Sequence, residues 1–587
     1  MRRGRLLATA TAAAMTVAGL TGMASATGMA SAGATPQATN SGIGTASWLV
    51  LANPGASAAV IAQQLKAAGA TVTSVNSAIG LISVSSGDSN FRRDTARLKG
   101  VQGVASDVSI GSTPKGPKVR ADKNVEREHV AAAGKGAGHV KQESKEATSD
   151  PLDSYLWGMK MINAPAAHAI ERGDKRVTVG IMDTGVQADH PDLAPNFDAK
   201  KSRNFTTDIA AIDGPCEYAS CVDPANVDDN GHGTHVAGTI GAALNGRGLS
   251  GVAPGVTLVN VRAGQDSGYF FLGPVTNALT YSGDTGIDVV NMSFYVDPWL
   301  YNCRGGAPED SAPAAADQEI IIAAMTRALN YANARGVTSV GALGNSHEDL
   351  SKPRVDSSSP DYDNPSYTWD NTPYSRTIDN ASCLDLPVEG PNVLGVSALG
   401  PSGTKSDFSN YATDLSSGEI EVSAPGGWFR DGFGTPTYRT NENLILSAAP
   451  LHVLQAEGMV DPEGNITPAG EAAGVMKDCA TTKRVVTCGY YQYLQGTSMA
   501  SPHAAGVAAL AVSAHGTKDG KRGLGMAPDA VADLMMRTAT DHACPAGGVQ
   551  TYTNEGRSAE FTAACVGNQD YNGFYGAGIV NALGVVR

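Results

Sequence analysis

Beyond its N-terminus the chain has no run of about 20 apolar residues, the length a helix needs to cross a bilayer. Nothing in the later sequence would therefore anchor it in a membrane. No CxxC pair and no HExxH motif occurs, so a zinc site has no sequence support. The 69 glycines follow no Gly-X-Y period, so their excess indicates tight turns and close backbone contacts rather than a fibre. Basic residues are in the minority, 43 Lys and Arg against 57 Asp and Glu, a formal net charge of -14. That balance argues against nucleic acid as a partner and favours solubility, but it specifies no fold. At 587 residues with 42% hydrophobic content, the chain is globular and longer than one ordinary domain.

The first residues carry an export pattern. Arg2, Arg3 and Arg5 precede a short apolar run from Leu6 to Leu20. Two small-residue cleavage candidates follow, Ala24-Ser25-Ala26 and Ala30-Ser31-Ala32. Residues 1–32 read as a signal peptide, which implies a secreted, extracellular protein. A membrane anchor is the alternative, but the run is short, rich in Ala and Thr, and followed by small residues. The paired arginines leave the export route open between the general and twin-arginine pathways. An even count of eight cysteines in an exported chain implies disulfides. Sequential pairing (216–221, 303–383, 479–488, 544–565) is the simplest of the roughly 105 connectivities that eight cysteines allow.

Three regions follow the signal. Residues 45–112 read as β-α-β-β-α-β, a small ferredoxin-like α+β unit. Its first helix shows apolar spacing at Val60, Ile61 and Leu65, and its second is expected over Asp88–Lys99. Residues 113–150 are rich in Lys, Glu, Gly, Ala and Pro, with almost no large apolar side chains, which predicts a disordered linker. Residues 151–587 alternate apolar strands with helical patterns and Gly-rich turns, which predicts an α/β domain with a mostly parallel sheet flanked by helices.

Three motifs in this large region carry chemistry. In VTVGIMDTG (Val177–Gly185) a buried strand ends in Asp183, where α/β sheets gather functional groups. Taken alone, such an Asp is as often a cap or turn residue. In NGHGTHVAG (Asn230–Gly238) a Gly-rich loop leads into a helix with His232 at its start, and His235 one turn later reads as a structural histidine. In GTSMASP (Gly496–Pro502) Ser498 stands at the start of a buried helix, a position where serine is commonly only an N-cap. Together the motifs supply a nucleophile, a base and a group that orients the base. A serine hydroxyl needs all three to attack an amide near neutral pH.

On these residues the sequence resembles the subtilisin-like (S8) serine peptidases, whose Asp, His and Ser motifs occur here in family order. The resemblance implies a serine endopeptidase in which Asp183, His232 and Ser498 are catalytic and Asn345, in VGALGN, supplies an oxyanion-hole amide. Ser293, in DVVNMS, and Ala342 would border the substrate. The turns at Gly251–Pro254, Ala424–Gly427 and Tyr575–Gly578 also fit the family. The first region resembles the family's inhibitor-type propeptide, which implies a precursor whose propeptide acts as intramolecular chaperone and inhibitor, released by cleavage within about Gly111–Asp150. Protein or peptide substrates are the implied partners.

No cofactor is required by this chemistry and no metal ligand is assigned, although a structural calcium ion is compatible with the resemblance. The loop Asn245–Ser250 departs from the family's calcium-binding form, and Asp192, which matches a carboxylate used there, reads as a solvated loop residue. Ser293 is followed by Phe294-Tyr295-Val296-Asp297 where the family often has glycines. Extra segments over about 347–384 and between Pro425 and Gly496 are expected to border the cleft, so primary specificity cannot be carried over. Two other readings are a catalytically inactive homologue that only binds, and an aspartic protease built on the two DTG motifs at Asp183 and Asp284.

Overall fold

A computed structural model describes residues 46–107, 125–128, 149–210, 212–360, 373–416, 418–482, 484–520 and 523–587. The expected signal peptide and most of the expected linker lie outside these residues.

The first unit is built from β1 (Ala46–Ala52), α1 (Ala58–Ala67), β2 (Thr71–Asn76), β3 (Leu81–Ser86), α2 (Phe91–Thr95) and β4 (Val101–Ser106). The strands form one antiparallel sheet in the order β2-β3-β1-β4. Ser57 caps α1 by accepting the Val60 amide. Val60 itself faces solvent, and the buried face is Ala58, Ile61, Ala62 and Leu65. The second helix is shorter than the expected 88–99, because the Asp88 carboxylate takes the Asn90 amide and holds a turn before it.

Alternate residues of a strand face opposite sides, and this sheet uses both. Val50, Ile82, Val84 and Val104 pack with Ile61, Leu65 and Phe91 of the unit's own helices. Leu49, Leu51, Leu81 and Ala105 instead join a core with Phe270, Leu272, Val275, Ile320 and Ile321 of the large domain.

The large domain is organised on a seven-stranded sheet. Its strands are β5 (Thr178–Met182), β6 (Arg203–Asn204), β7 (Thr257–Arg262), β8 (Val289–Met292), β9 (Thr338–Ala342), β10 (Val393–Leu399) and β11 (Val422–Pro425). The order is β11-β10-β9-β8-β5-β7-β6, and every pairing is parallel. The central strands are buried on both faces, as a parallel sheet covered by helices requires. The main covering helices are α3 (His232–Gly241), α4 (Leu272–Thr285), α5 (Ala312–Ala334), α6 (Thr497–His515) and α7 (Pro528–Thr538).

The long insertion after Pro425 contributes β12 (Ile445–Ala449), β13 (Met476–Thr482) and β14 (Val485–Leu494). They form an antiparallel sheet in the order β12-β14-β13, with Cys479 directly opposite Cys488. All eight cysteines pair in the sequential pattern, 216–221, 303–383, 479–488 and 544–565. Among the described residues no helix is long and apolar enough to cross a membrane.

Candidate active site

The functional side chains sit at the carboxyl ends of the central strands, where diverging connections leave a crevice. Asp183 follows β5 directly, is fully buried, and accepts the amide of Thr184 (2.8 Å) through Oδ1. The same oxygen receives Nδ1 of His232 at 2.7 Å. Two features bring the imidazole that close. Gly233 leaves room for α3: a Cβ there would lie 2.1 Å from the Gly185 carbonyl oxygen and 3.0 Å from Asp183 Cβ. Asp228, fully buried, accepts the amides of Gly231 (2.9 Å) and Thr234 (2.9 Å) and the Thr184 hydroxyl (3.0 Å). It thus satisfies orphan N–H groups at the start of α3 and ties that helix to the turn bearing Asp183. The motif reading passed over Asp228. The available signal was a carboxylate four residues before a helix start.

His235, on the buried face of α3, bonds the Ile445 carbonyl at 3.0 Å, and burial pushes its pKa down to about 3. It stays neutral and structural.

Ser498 stands in the first turn of α6. Its hydroxyl lies 3.5 Å from the Ser293 carbonyl oxygen, a long contact, and points there rather than to the imidazole. The Ser293 hydroxyl does not open into a groove. It receives Nδ2 of Asn291 (2.9 Å), donates to the Ser498 carbonyl (3.1 Å) and meets Ser501 (2.8 Å). The residue thus borders Ser498 through its backbone and braces α6 with its side chain. Ala342 ends β9 and is nearly buried. Asn345, three residues on, accepts the Thr497 amide (2.8 Å) and hydroxyl (2.9 Å) through Oδ1. With that oxygen committed, the amide nitrogen is its free end, and it lies 3.5 Å from where a Cβ on Gly496 would be.

A second chain segment occupies this crevice. Val125–Glu128 lies within the region read as a disordered linker, yet it is ordered and lies along Gln495, the residue between β14 and Gly496. The Val125 carbonyl accepts Nε2 of Gln495 (2.8 Å), and the Glu126 carbonyl accepts its backbone amide (3.3 Å). The Glu126 carboxylate reaches Nε2 of His232 at 3.5 Å, and its Cγ lies 3.4 Å from the Cβ position of Gly496. One side chain therefore spans from the imidazole to Gly496, which caps the helix that carries Ser498. Burial disfavours a charged His232, but the carboxylates of Asp183 and Glu126 outweigh it and hold the imidazole pKa well above its ordinary value. Arg127 pairs with Glu457 of the insertion, which places that segment at the crevice, as expected.

Other expectations are corrected. Asp192 is not solvated: it is fully buried, accepts the Leu249 amide (3.1 Å) and the Tyr491 hydroxyl (2.8 Å), and burial raises its pKa to about 7. The inserted strand β14 covers it. The described part of the other extra segment, over 347–384, is held at two places: the Leu350 amide donates to the Tyr411 carbonyl (2.8 Å), and buried Arg376 donates to Asp310 (2.9 Å) and the Tyr301 carbonyl (3.1 Å). The two DTG aspartates do not form a dyad. Asp284 is half exposed on α4 and bonds the Tyr331 hydroxyl (2.7 Å) and Arg335 (3.3 Å), while Asp183 is committed to His232.

Two carboxylate groups could hold a cation: Asp208, Glu217 and Asp266, and Asp223, Asp229 and Asp266, each with oxygens within 4.8 Å of one another. Buried Arg262 already supplies a positive charge there, bonding Asp223 (2.7 Å) and Asp266 (2.6 Å).

Comparison with known proteins shows the family and the fold. Residues 174–578 match the model of the subtilase family, Peptidase_S8. Subtilisin BL of Lederbergia lenta is 26% identical over 329 residues, 56% of this chain and 92% of its own length. Thermitase of Thermoactinomyces vulgaris is 28% identical over 318 residues, 54% and 86% of the two chains. Among solved structures, the epidermin leader peptide processing serine protease of Staphylococcus aureus superposes with a TM-score of 0.56 at 18% identity. That match covers 92% of this chain and 99% of the other, and the likeness is one of fold.

Proposed function

The chain belongs to the subtilase family of serine endopeptidases, and from that membership we propose that it is a secreted enzyme, made as a precursor, which cleaves proteins through an acyl-enzyme on Ser498. One observation carries the reading: an imidazole bonded at 2.7 Å to a fully buried carboxylate, beside the helix start that bears a serine. In the cycle, His232 takes the Ser498 proton as the hydroxyl oxygen attacks a peptide carbonyl. Asp183 fixes the tautomer with Nδ1–H and stabilises the imidazolium that forms. The amide nitrogen of Asn345 and the Ser498 backbone N–H hold the oxyanion. His232 then protonates the leaving amine, and water repeats the sequence to release the acid.

The precursor reading draws on the occupied crevice. While Glu126 faces Nε2, its carboxylate favours the protonated imidazole, the form that cannot take the Ser498 proton, so segment 125–128 would hold activity down until it leaves. Cleavage within 111–150 and departure of this segment would free the base. The unit at 46–107 would assist folding and cover the cleft before release.

A fluorophosphonate should label Ser498 of the processed protein, and Ser498→Ala should abolish labelling and leave only residual turnover. Undiminished casein cleavage by the alanine variant would sink the assignment. N-terminal sequencing of the secreted protein tests the precursor, and a start near residue 33 would remove that part.

A further inference from the structure

We propose that Arg430 and Arg557 form a subsite for an acidic side chain of the peptide substrate, held in this structure by Glu128. The inference rests on the peptidase reading and adds a substrate preference to it. Glu128 follows by two residues the Glu126 that faces His232, on the segment bonded to Gln495. Its Oε1 accepts Nε of Arg430 at 2.9 Å. Its Oε2 lies 3.4 Å from an Arg557 amino nitrogen and 3.3 Å from Nε2 of Gln495. Three donors from three parts of the large domain thus converge on one carboxylate.

The two guanidinium groups are held from behind without Glu128. Arg430 donates to the Glu555 carbonyl at 3.1 Å, and Arg557 lies over the Phe561 ring, 4.7 Å from its centroid. Both lean on fully buried Asp407, at 2.5 Å from Arg557 and 3.9 Å from Arg430. The charge count then decides the ligand. Two arginines face one buried carboxylate, and the neighbouring buried amine of Lys405 contributes no negative charge. Glu128 neutralises the group. Once segment 125–128 leaves, a positive charge in a partly buried fork stands uncompensated, and a substrate chain lying along Gln495 presents its own side chain there. Arginine forks of this kind favour planar carboxylates over neutral amides.

The test uses enzyme matured from the full-length precursor and quenched fluorescent peptides in which Glu, Gln and Lys are scanned through the positions flanking the scissile bond. At one position Glu should exceed Gln in kcat/KM by about 10–100-fold, chiefly through KM, as a charge-assisted contact implies. The margin should narrow as salt is raised. Arg430→Gln with Arg557→Gln should erase the preference, and Arg557→Glu should turn it toward Lys. Thermal melting confirms that these variants are folded. Equal cleavage of Glu, Gln and Lys peptides at every position by the wild type would overturn the subsite and leave the peptidase standing, with Glu128 a latch of the precursor only. A Glu preference that survives in the double Gln variant would also overturn it. Failure to cleave any peptide, together with no fluorophosphonate labelling, would instead remove the peptidase reading beneath it.

Discussion

On the proposed mechanism, two side chains beside Gly496 act in opposite directions. Asn345 has its oxygen fixed by Thr497, which leaves its nitrogen as the end available to the proposed oxyanion hole. Replacing it by Ala should lower kcat by about 10²–10³-fold with little change in KM, the cost of one oxyanion donor. Steady-state kinetics on a neutral peptide measure this. Glu126 favours the imidazolium, which on the proposed mechanism opposes catalysis. His232 must be neutral to act, and a raised pKa keeps it protonated over the pH range below that value. Removing one carboxylate lowers the pKa, so the pH dependence of self-processing in Glu126→Gln should shift to lower pH than in the wild-type precursor. A midpoint identical to wild type would show that Glu126 does not control the base.

At the scale of elements, the disulfides differ in what they close. Cys303–Cys383 spans 80 residues, whereas Cys216–Cys221 spans 5. On the chain-entropy account, the long loop is worth about 4.5 kcal/mol and the short one about 2 kcal/mol. The double alanine variant at 303 and 383 should therefore lose clearly more stability in denaturant titration than the one at 216 and 221. The inserted β12-β14-β13 sheet also acts as an element of the site: Ser447 bonds the His235 carbonyl at 2.7 Å, and Ile445 bonds the His235 ring. It therefore buttresses α3 from the side opposite the main sheet, and a change in this insertion will be felt at His232.

For the whole molecule, the first unit is docked by polar contacts around an apolar patch. Arg327 of α5 donates to the carbonyls of Ala52 and Ile79, each at 2.8 Å. Asp317, nearly fully buried, pairs with Arg92 at 2.6 Å and accepts the Ser106 amide at 3.1 Å. Asp317→Ala would leave Arg92 and that amide without this acceptor, a loss on the scale of a charged hydrogen bond. After self-processing, free activity should appear roughly tenfold sooner in this variant, by progress curves from purified precursor. An unchanged lag would show that the interface is held by its apolar face alone.

Much of this was legible in the residues themselves. Helix starts and strand ends depend on chemistry within a few residues, and the motifs around Asp183, His232 and Ser498 carry their local backbone with them. The parallel sheet was readable because strands buried on both faces must be continuously apolar. What escaped the sequence depends on juxtapositions that no local pattern encodes. Asp192 is buried because Tyr491, 299 residues away, lies over it. Segment 125–128 has no periodicity to read, and its contact with Gln495 spans 370 residues. Only packing decides which charged side chains of a polar stretch meet partners, because burial and electrostatic balance belong to the assembled surface and not to the chain.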